Sequence, residues 1–215
     1  MARPAPYPGY DVLAKRRTQS WNKATRQVVD ERLATVAEPS FFDPGEWRTL
    51  TALCGRITPQ PKDRPPIPVA AMIDEKVAAD ARDGYRDARL PPLQEAWRRG
   101  LAALEAEARD AHDKSFADLF AAEQDALLQA MQAGRLRTPA WGDMPCELFF
   151  SDRALADVVA AYYAHPTAWS EIGFGGPAGP RGYVRMDPDE RDPWEAIETR
   201  PGQEARAQRK NRRVR

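Results

Sequence analysis

Residues 161–186 read AYYAHPTAWSEIGFGGPAGPRGYVRM, and no single regular element can hold them. Pro166, Pro177 and Pro180 each lack an amide hydrogen and restrict the preceding residue, so no continuous helix crosses the stretch. Gly173, Gly175, Gly176, Gly179 and Gly182 loosen the backbone further. Yet Tyr162, Tyr163, His165, Trp169, Phe174 and Tyr183 crowd the same segment with large rings. A stretch both irregular and aromatic cannot bury itself as one element. It must lie across another surface, belonging either to this chain or to a partner.

The rest of the chain follows a helical period. Trp21, Ala24, Val28, Val29, Leu33 and Val36 fall at helical spacing and predict a first helix ending before Pro39. Asp43, Pro44 and Glu46 form an N-cap, a first-turn proline and a capping box. They open a second helix with Trp47, Leu50, Leu53, Cys54 and Ile57 on one face. Five prolines between positions 59 and 68 mark an extended connector.

A third helix carries Val69, Met72, Ile73 and Val77, and a fourth follows Pro91 and Pro92 with Leu93, Trp97, Leu101, Leu104 and Ala108 inward. A fifth starts near Ser115, with Ser115 and Asp118 resembling a capping box, and closes at Gly134. A sixth spans about 144–163 with Leu148, Leu155, Val158, Val159 and Tyr162 inward.

No convincing period-2 strand is visible. The fold class is therefore all-α, an array of about six helices with an extended Gly/Pro/aromatic C-terminal segment and disordered ends. The corresponding domain reading is an extended N-terminal arm at 1–20, a helical domain at 21–164, a Gly/aromatic docking segment at 165–186, and a polar then basic tail at 187–215, predicted to be disordered.

Charge narrows the function classes. The 32 basic and 32 acidic residues balance overall. Residues 201–215, however, hold Arg206, Arg209, Lys210, Arg212, Arg213 and Arg215 against Glu204 alone. A mildly acidic body with a basic tail is not a nucleic-acid platform, and the tail has no aromatic residue to stack a base. The uncharged run at 158–170 is 13 residues long and contains His165 and Pro166. That is well short of the roughly 20 apolar residues a membrane-spanning helix needs.

Residues with catalytic chemistry are sparse. Cys54 and Cys146 show no metal or disulfide spacing and read as packed thiols. His112 and His165 sit in different elements, each at a helix end. The glycines at 173, 175 and 176 follow a helix and precede Pro177, whereas a dinucleotide loop follows a strand and opens a helix. Walker lysine, HExxH and nucleophile-elbow patterns are absent from the sequence. No catalytic, cofactor-binding or metal residue is assigned on this reading. The alternative is a small stand-alone enzyme using His165 and Glu171.

Phe41-Phe42, a helix over 46–57 ending in Thr58-Pro59, Ile73-Asp74, Phe149-Phe150, Tyr162-Tyr163, His165-Pro166, and Ile172-Gly173-Phe174-Gly175-Gly176 with Tyr183 recur in order. In this pattern the chain resembles the gluconate 2-dehydrogenase subunit 3 family over roughly residues 40–186. The resemblance implies a non-catalytic accessory subunit that binds and stabilises, or helps fold or export, a FAD-dependent sugar, sugar-acid or alcohol dehydrogenase.

The implied partner is a flavoprotein large subunit of the glucose–methanol–choline type, which holds the FAD, in some complexes joined by a multi-haem cytochrome c. The implied contact comprises Tyr162, Tyr163, His165, Trp169, Ile172, Gly173, Phe174, Gly175, Gly176 and Tyr183. Family members often carry a twin-arginine leader. Here Arg16-Arg17 is followed by polar residues at 18–23, so the expectation is a cytoplasmic protein, or a periplasmic one co-exported with a signal-bearing partner.

Overall fold

The computed structural model describes residues 5–35, 38–62, 64–81, 84–177 and 191–214. Regular structure among them is entirely helical. The α-helices are α1 (Lys23–Leu33), α2 (Pro44–Ile57), α3 (Val69–Ala78), α4 (Leu93–His112), α5 (Ala121–Gln132), α6 (Cys146–Leu148), α7 (Ala156–Ala164), α8 (Pro166–Trp169) and α9 (Glu204–Asn211). A π-helical stretch, Phe149–Leu155, joins α6 to α7. Short 3-10 turns occupy Val12–Arg17, Phe116–Asp118 and Pro139–Trp141.

Contacts divide the chain into two compact units. One comprises Met1–Thr35 with Tyr163–Arg215, the other Val36–Tyr162. The sequence reading placed residues 21–164 in a single helical domain. The structure instead groups α1 with the two ends of the chain, because the side chains of α1 and of the arm are buried against residues beyond 163.

In the Val36–Tyr162 unit the local signals act as their chemistry requires. Asp43 Oδ1 accepts the amides of Gly45 and Glu46 at 2.7 and 2.8 Å, and Glu46 Oε2 returns a bond to the Asp43 amide at 3.0 Å. At the end of α5, Gly134 adopts φ +63°, the Arg135 amide reaches Ala130 O, and the Gly134 amide reaches Met131 O. That is a Schellman termination, which a left-handed glycine makes accessible. The start of α5 differs from expectation. Ser115 does not cap a helix, since its hydroxyl and the Phe116 amide are both held by Glu105 Oε2 of α4. The chain turns once as a 3-10 helix, and α5 starts at Ala121 with Glu123 closing back on the Phe120 amide at 2.8 Å.

The core of this unit is a run of rings packed edge to face or tilted. Phe42 meets Trp97 at 6.3 Å, Trp97 meets Phe149 at 5.6 Å, and Phe149 meets Trp141 at 5.9 Å. Such pairs contribute roughly 0.5–1.5 kcal/mol each beyond the area they bury. Gly100 of α4 is where the Phe149 ring lies against the helix, and a Cβ there would overlap that ring.

The π-helical stretch changes which residues face inward. Leu155 and Val159, expected inside, are exposed, and Arg153 and Asp157 are buried in their place. A π turn takes about one residue more than an α turn, which shifts the 3.6-residue phase at Leu155 and Val159, while Val158 and Tyr162 are buried as expected.

Buried carboxylates then hold the loops of this unit in place. Asp74 accepts from the amides of Ser40, Phe41 and Phe42 and from the Ser40 hydroxyl, at 2.5 to 3.0 Å for the shortest bond of each donor. Glu107 Oε1 accepts from the amides of Arg137 and Thr138 and from Trp141 Nε1, at 2.8 to 2.9 Å. Asp157 takes Lys76 Nζ on one oxygen and Trp97 Nε1 on the other, both at 2.9 Å. Each acid is a polar group whose burial is offset by two or more donors.

The unit containing both chain ends has its own core of Tyr10, Val12, Trp21, Val29, Trp169, Ala196 and Val214. The arm read as extended contains the 3-10 turn Val12–Arg17, with Val12 and Lys15 buried. The tail read as disordered contains α9, whose Ala207 and Asn211 are buried. Asn211 bonds both ways with Ile197 and donates to Pro8 O at 3.2 Å, tying the tail to the arm. In α1, Thr25 and Val29 are buried, while Val28 and Leu33, expected inside, face outward. Among the described residues no helix is long and apolar enough to cross a membrane.

Candidate functional site: the glycine–aromatic segment

Pro166 breaks the helical run at Ala164 and starts the single turn α8, which His165 caps. The Thr167 amide donates to His165 Nδ1 at 3.3 Å, so that nitrogen is committed as a cap acceptor. Trp169 ends the turn. It is 2% exposed, its Nε1 donates to Tyr163 O at 2.8 Å, and Phe174 meets its ring edge-on at 5.3 Å. Arg32 of α1 donates to Ala164 O at 3.0 Å and lies 5.9 Å over the Trp169 ring.

The glycines that follow permit close approach, and what approaches is the N-terminal arm. Gly173 has φ +68° and lies under the Tyr7 ring, where a Cβ would collide. Gly176 has φ +84°, and a Cβ there would be 2.9 Å from Trp21 Nε1. A Cβ on Gly175 would be 3.1 Å from Lys15 Nζ. The hydrogen bonds agree. The Val12 amide donates to Ser170 Oγ at 3.1 Å, Tyr10 Oη to Phe174 O at 3.3 Å, and Trp21 Nε1 to Gly175 O at 3.2 Å. Burial, with Asp11 and Glu195 nearby, raises the Tyr10 pKa, so its phenol remains a donor at every ordinary pH. Gly173→Ala should destabilise the protein by about 2 kcal/mol or more, combining left-handed strain with displacement of Tyr7. Urea unfolding of the variant measures it, and wild-type stability would show that the contact is not tight.

The predicted contact residues therefore separate into two groups. Trp169, His165, Gly173, Gly175 and Gly176 are engaged by their own chain. Tyr162 is buried in the other unit, where Arg64 donates to its hydroxyl at 2.9 Å. Tyr163, Ile172 and Phe174 are turned outward at 41, 45 and 40% exposure. Tyr183 lies outside the described residues.

Sequence reasoning missed the outward faces of Val28 and Leu33 on α1. The Arg32 bond to Ala164 O ties the end of α1 to the start of the segment that bears Tyr163, Ile172 and Phe174. The missed signal was the spacing of α1 itself. Val28 and Val29 are consecutive and cannot both face one core.

Elsewhere the reactive side chains are held in structural roles. Both cysteines are free and buried, and burial pushes the Cys54 thiol up to about 12 and the Cys146 thiol upward as well. Neither is a thiolate at neutral pH. His112 ends α4 with Nδ1 3.6 Å from Glu123. Among the described residues no group of three or more His, Cys, Asp or Glu is placed to hold a metal ion.

Comparison with known proteins adds one finding. The family model described as gluconate 2-dehydrogenase subunit 3 matches residues 44–176, more than half of the chain. The match begins at the first residue of α2 and ends on the last glycine seated under the arm. No curated protein and no solved structure matches the chain.

Proposed function

The chain belongs to the gluconate 2-dehydrogenase subunit 3 family, and from that membership we propose that it is a non-catalytic small subunit of a FAD-dependent dehydrogenase. Its role on this reading is to bind and stabilise, or help fold or export, a flavoprotein large subunit that oxidises a sugar, sugar acid or alcohol. The FAD belongs to that larger chain, which is of the glucose–methanol–choline type, and a multi-haem cytochrome c is a further candidate member of the complex.

The observation that carries the proposal is the apolar surface of Tyr163, Ile172 and Phe174, with Val28 and Leu33 of α1. These side chains project from a unit whose backbone is otherwise tightly bonded to itself. Exposed apolar groups on a firm scaffold fit a protein interface better than a substrate pocket.

The reading is tested by isolating the tagged chain from its native cells and scanning the eluate. A larger co-purifying chain with flavin absorbance is the expected result, and a colourless, solitary protein after gentle extraction would count against it. Ile172→Ser with Phe174→Ser should weaken that association by about 2 kcal/mol or more, if these are the anchors. The substitutions should leave the helical content unchanged, and undiminished association would move the interface elsewhere. His165→Ala separates the rival enzyme reading, since it would abolish turnover by the purified chain only if that chain were itself a catalyst.

A further inference from the structure

Four cationic side chains, Arg191, Arg200, Arg206 and Lys210, line one pocket of about 470 Å³ in the unit formed by the chain ends. Arg206 and Lys210 stand one above the other, four residues apart on α9. The facing wall is the stretch 197–200, held at both ends. The Ile197 amide donates to Asn211 Oδ1 at 2.8 Å, and the Thr199 amide donates to Pro6 O at 2.7 Å. Arg206 bonds Gln203 Oε1 at 3.2 Å, and Arg191 donates to Ala196 O. Among the described residues no carboxylate forms an ion pair with Arg200, Arg206 or Lys210.

Two further features indicate what the pocket accepts. Glu198 is the one acid in the lining and supplies an acceptor for a hydroxyl group. The lining has no aromatic ring, so a nucleobase would have nothing to stack on. Three guanidinium groups and an ammonium around one space suit an oxyanion of more than one charge, and the arginine fork matches phosphate oxygens in pairs.

We propose that this pocket binds a small phosphate ester carrying hydroxyl groups, of the sugar-phosphate class. In the full-length protein at low ionic strength, calorimetric titration with glucose 6-phosphate should saturate at one site per chain. Citrate, a polycarboxylate of greater negative charge, should bind at least tenfold more weakly. Arg206→Gln combined with Lys210→Gln should weaken glucose 6-phosphate binding at least tenfold. Both side chains are exposed, so the fold does not depend on their charged ends. Arg213→Gln, a tail cation outside the lining, should change the affinity less than twofold. Absence of saturable binding by the wild type, equal affinity for citrate, or an equal loss in Arg213→Gln would each overturn the proposal. The last result would mean that the tail merely attracts anions.

Discussion

Asp74→Ala is expected to lower the unfolding free energy by about 2–4 kcal/mol, because it leaves the buried Phe42 amide and the half-buried Phe41 amide with no acceptor. One carboxylate holds three successive amides, those of Ser40, Phe41 and Phe42, and the Ser40 hydroxyl. These residues lead into the Asp43 cap, so the entry to α2 and the inward placement of Phe42 depend on the same group.

Burial alone would raise the Asp74 pKa, but the bonds from Ser40, Phe42 and Phe41 outweigh it and hold the carboxyl below its ordinary value. A depressed folded pKa gives a definite sign. The stability it contributes is complete above the unfolded value of about 3.9, and is lost as pH falls through the folded value. Asp74→Asn keeps the shape without the charge. The gap between wild type and Asp74→Asn, measured by urea unfolding, should be widest near neutrality and shrink as the solution is acidified below about pH 4. A gap independent of pH would mean that the charge is not what holds the loop.

Trp169→Ala should cost about 3–5 kcal/mol of stability in the unit made by the chain ends, the range for truncating a fully buried large aromatic. The ring is packed with Tyr10, Val12, Trp21 and Val29 in one core, and its Nε1 hydrogen bond to Tyr163 O is lost with it. Hydrogen exchange should show residues 7–21 and 166–176 losing protection together, while Leu50, Leu53 and Trp97 in the other core stay protected. This outcome separates packing from docking. If the variant kept wild-type stability and lost only its association with a larger chain, Trp169 would be an interface anchor after all. If it unfolded locally while Ile172→Ser with Phe174→Ser remained stable, the contact surface would lie on the outward side chains.

Where the governing chemistry is local, the sequence alone determines the outcome. Asp43, Pro44 and Glu46 start α2 because a cap and its reciprocal bond involve residues three apart. Gly134 ends α5 because a left-handed residue is needed there whatever surrounds it. The all-helical class follows from period alone, and so does the identification of 161–176 as a stretch that must be covered.

Tertiary structure decides what depends on distant partners. The π-helical turn at Phe149–Leu155 exposes Leu155 and Val159 and buries Arg153 and Asp157, and hydrophobicity gives no sign of it. Glu105 takes the Ser115 hydroxyl that a local reading assigns to a helix cap, and the Phe116 amide with it. Above all, the rings and glycines at 162–176 fit a partner and the chain's own arm equally well when read as letters. Tyr10, Val12 and Trp21 bond to residues more than 150 positions away, and a match of shape and hydrogen bonds over that separation exists only once the chain has folded.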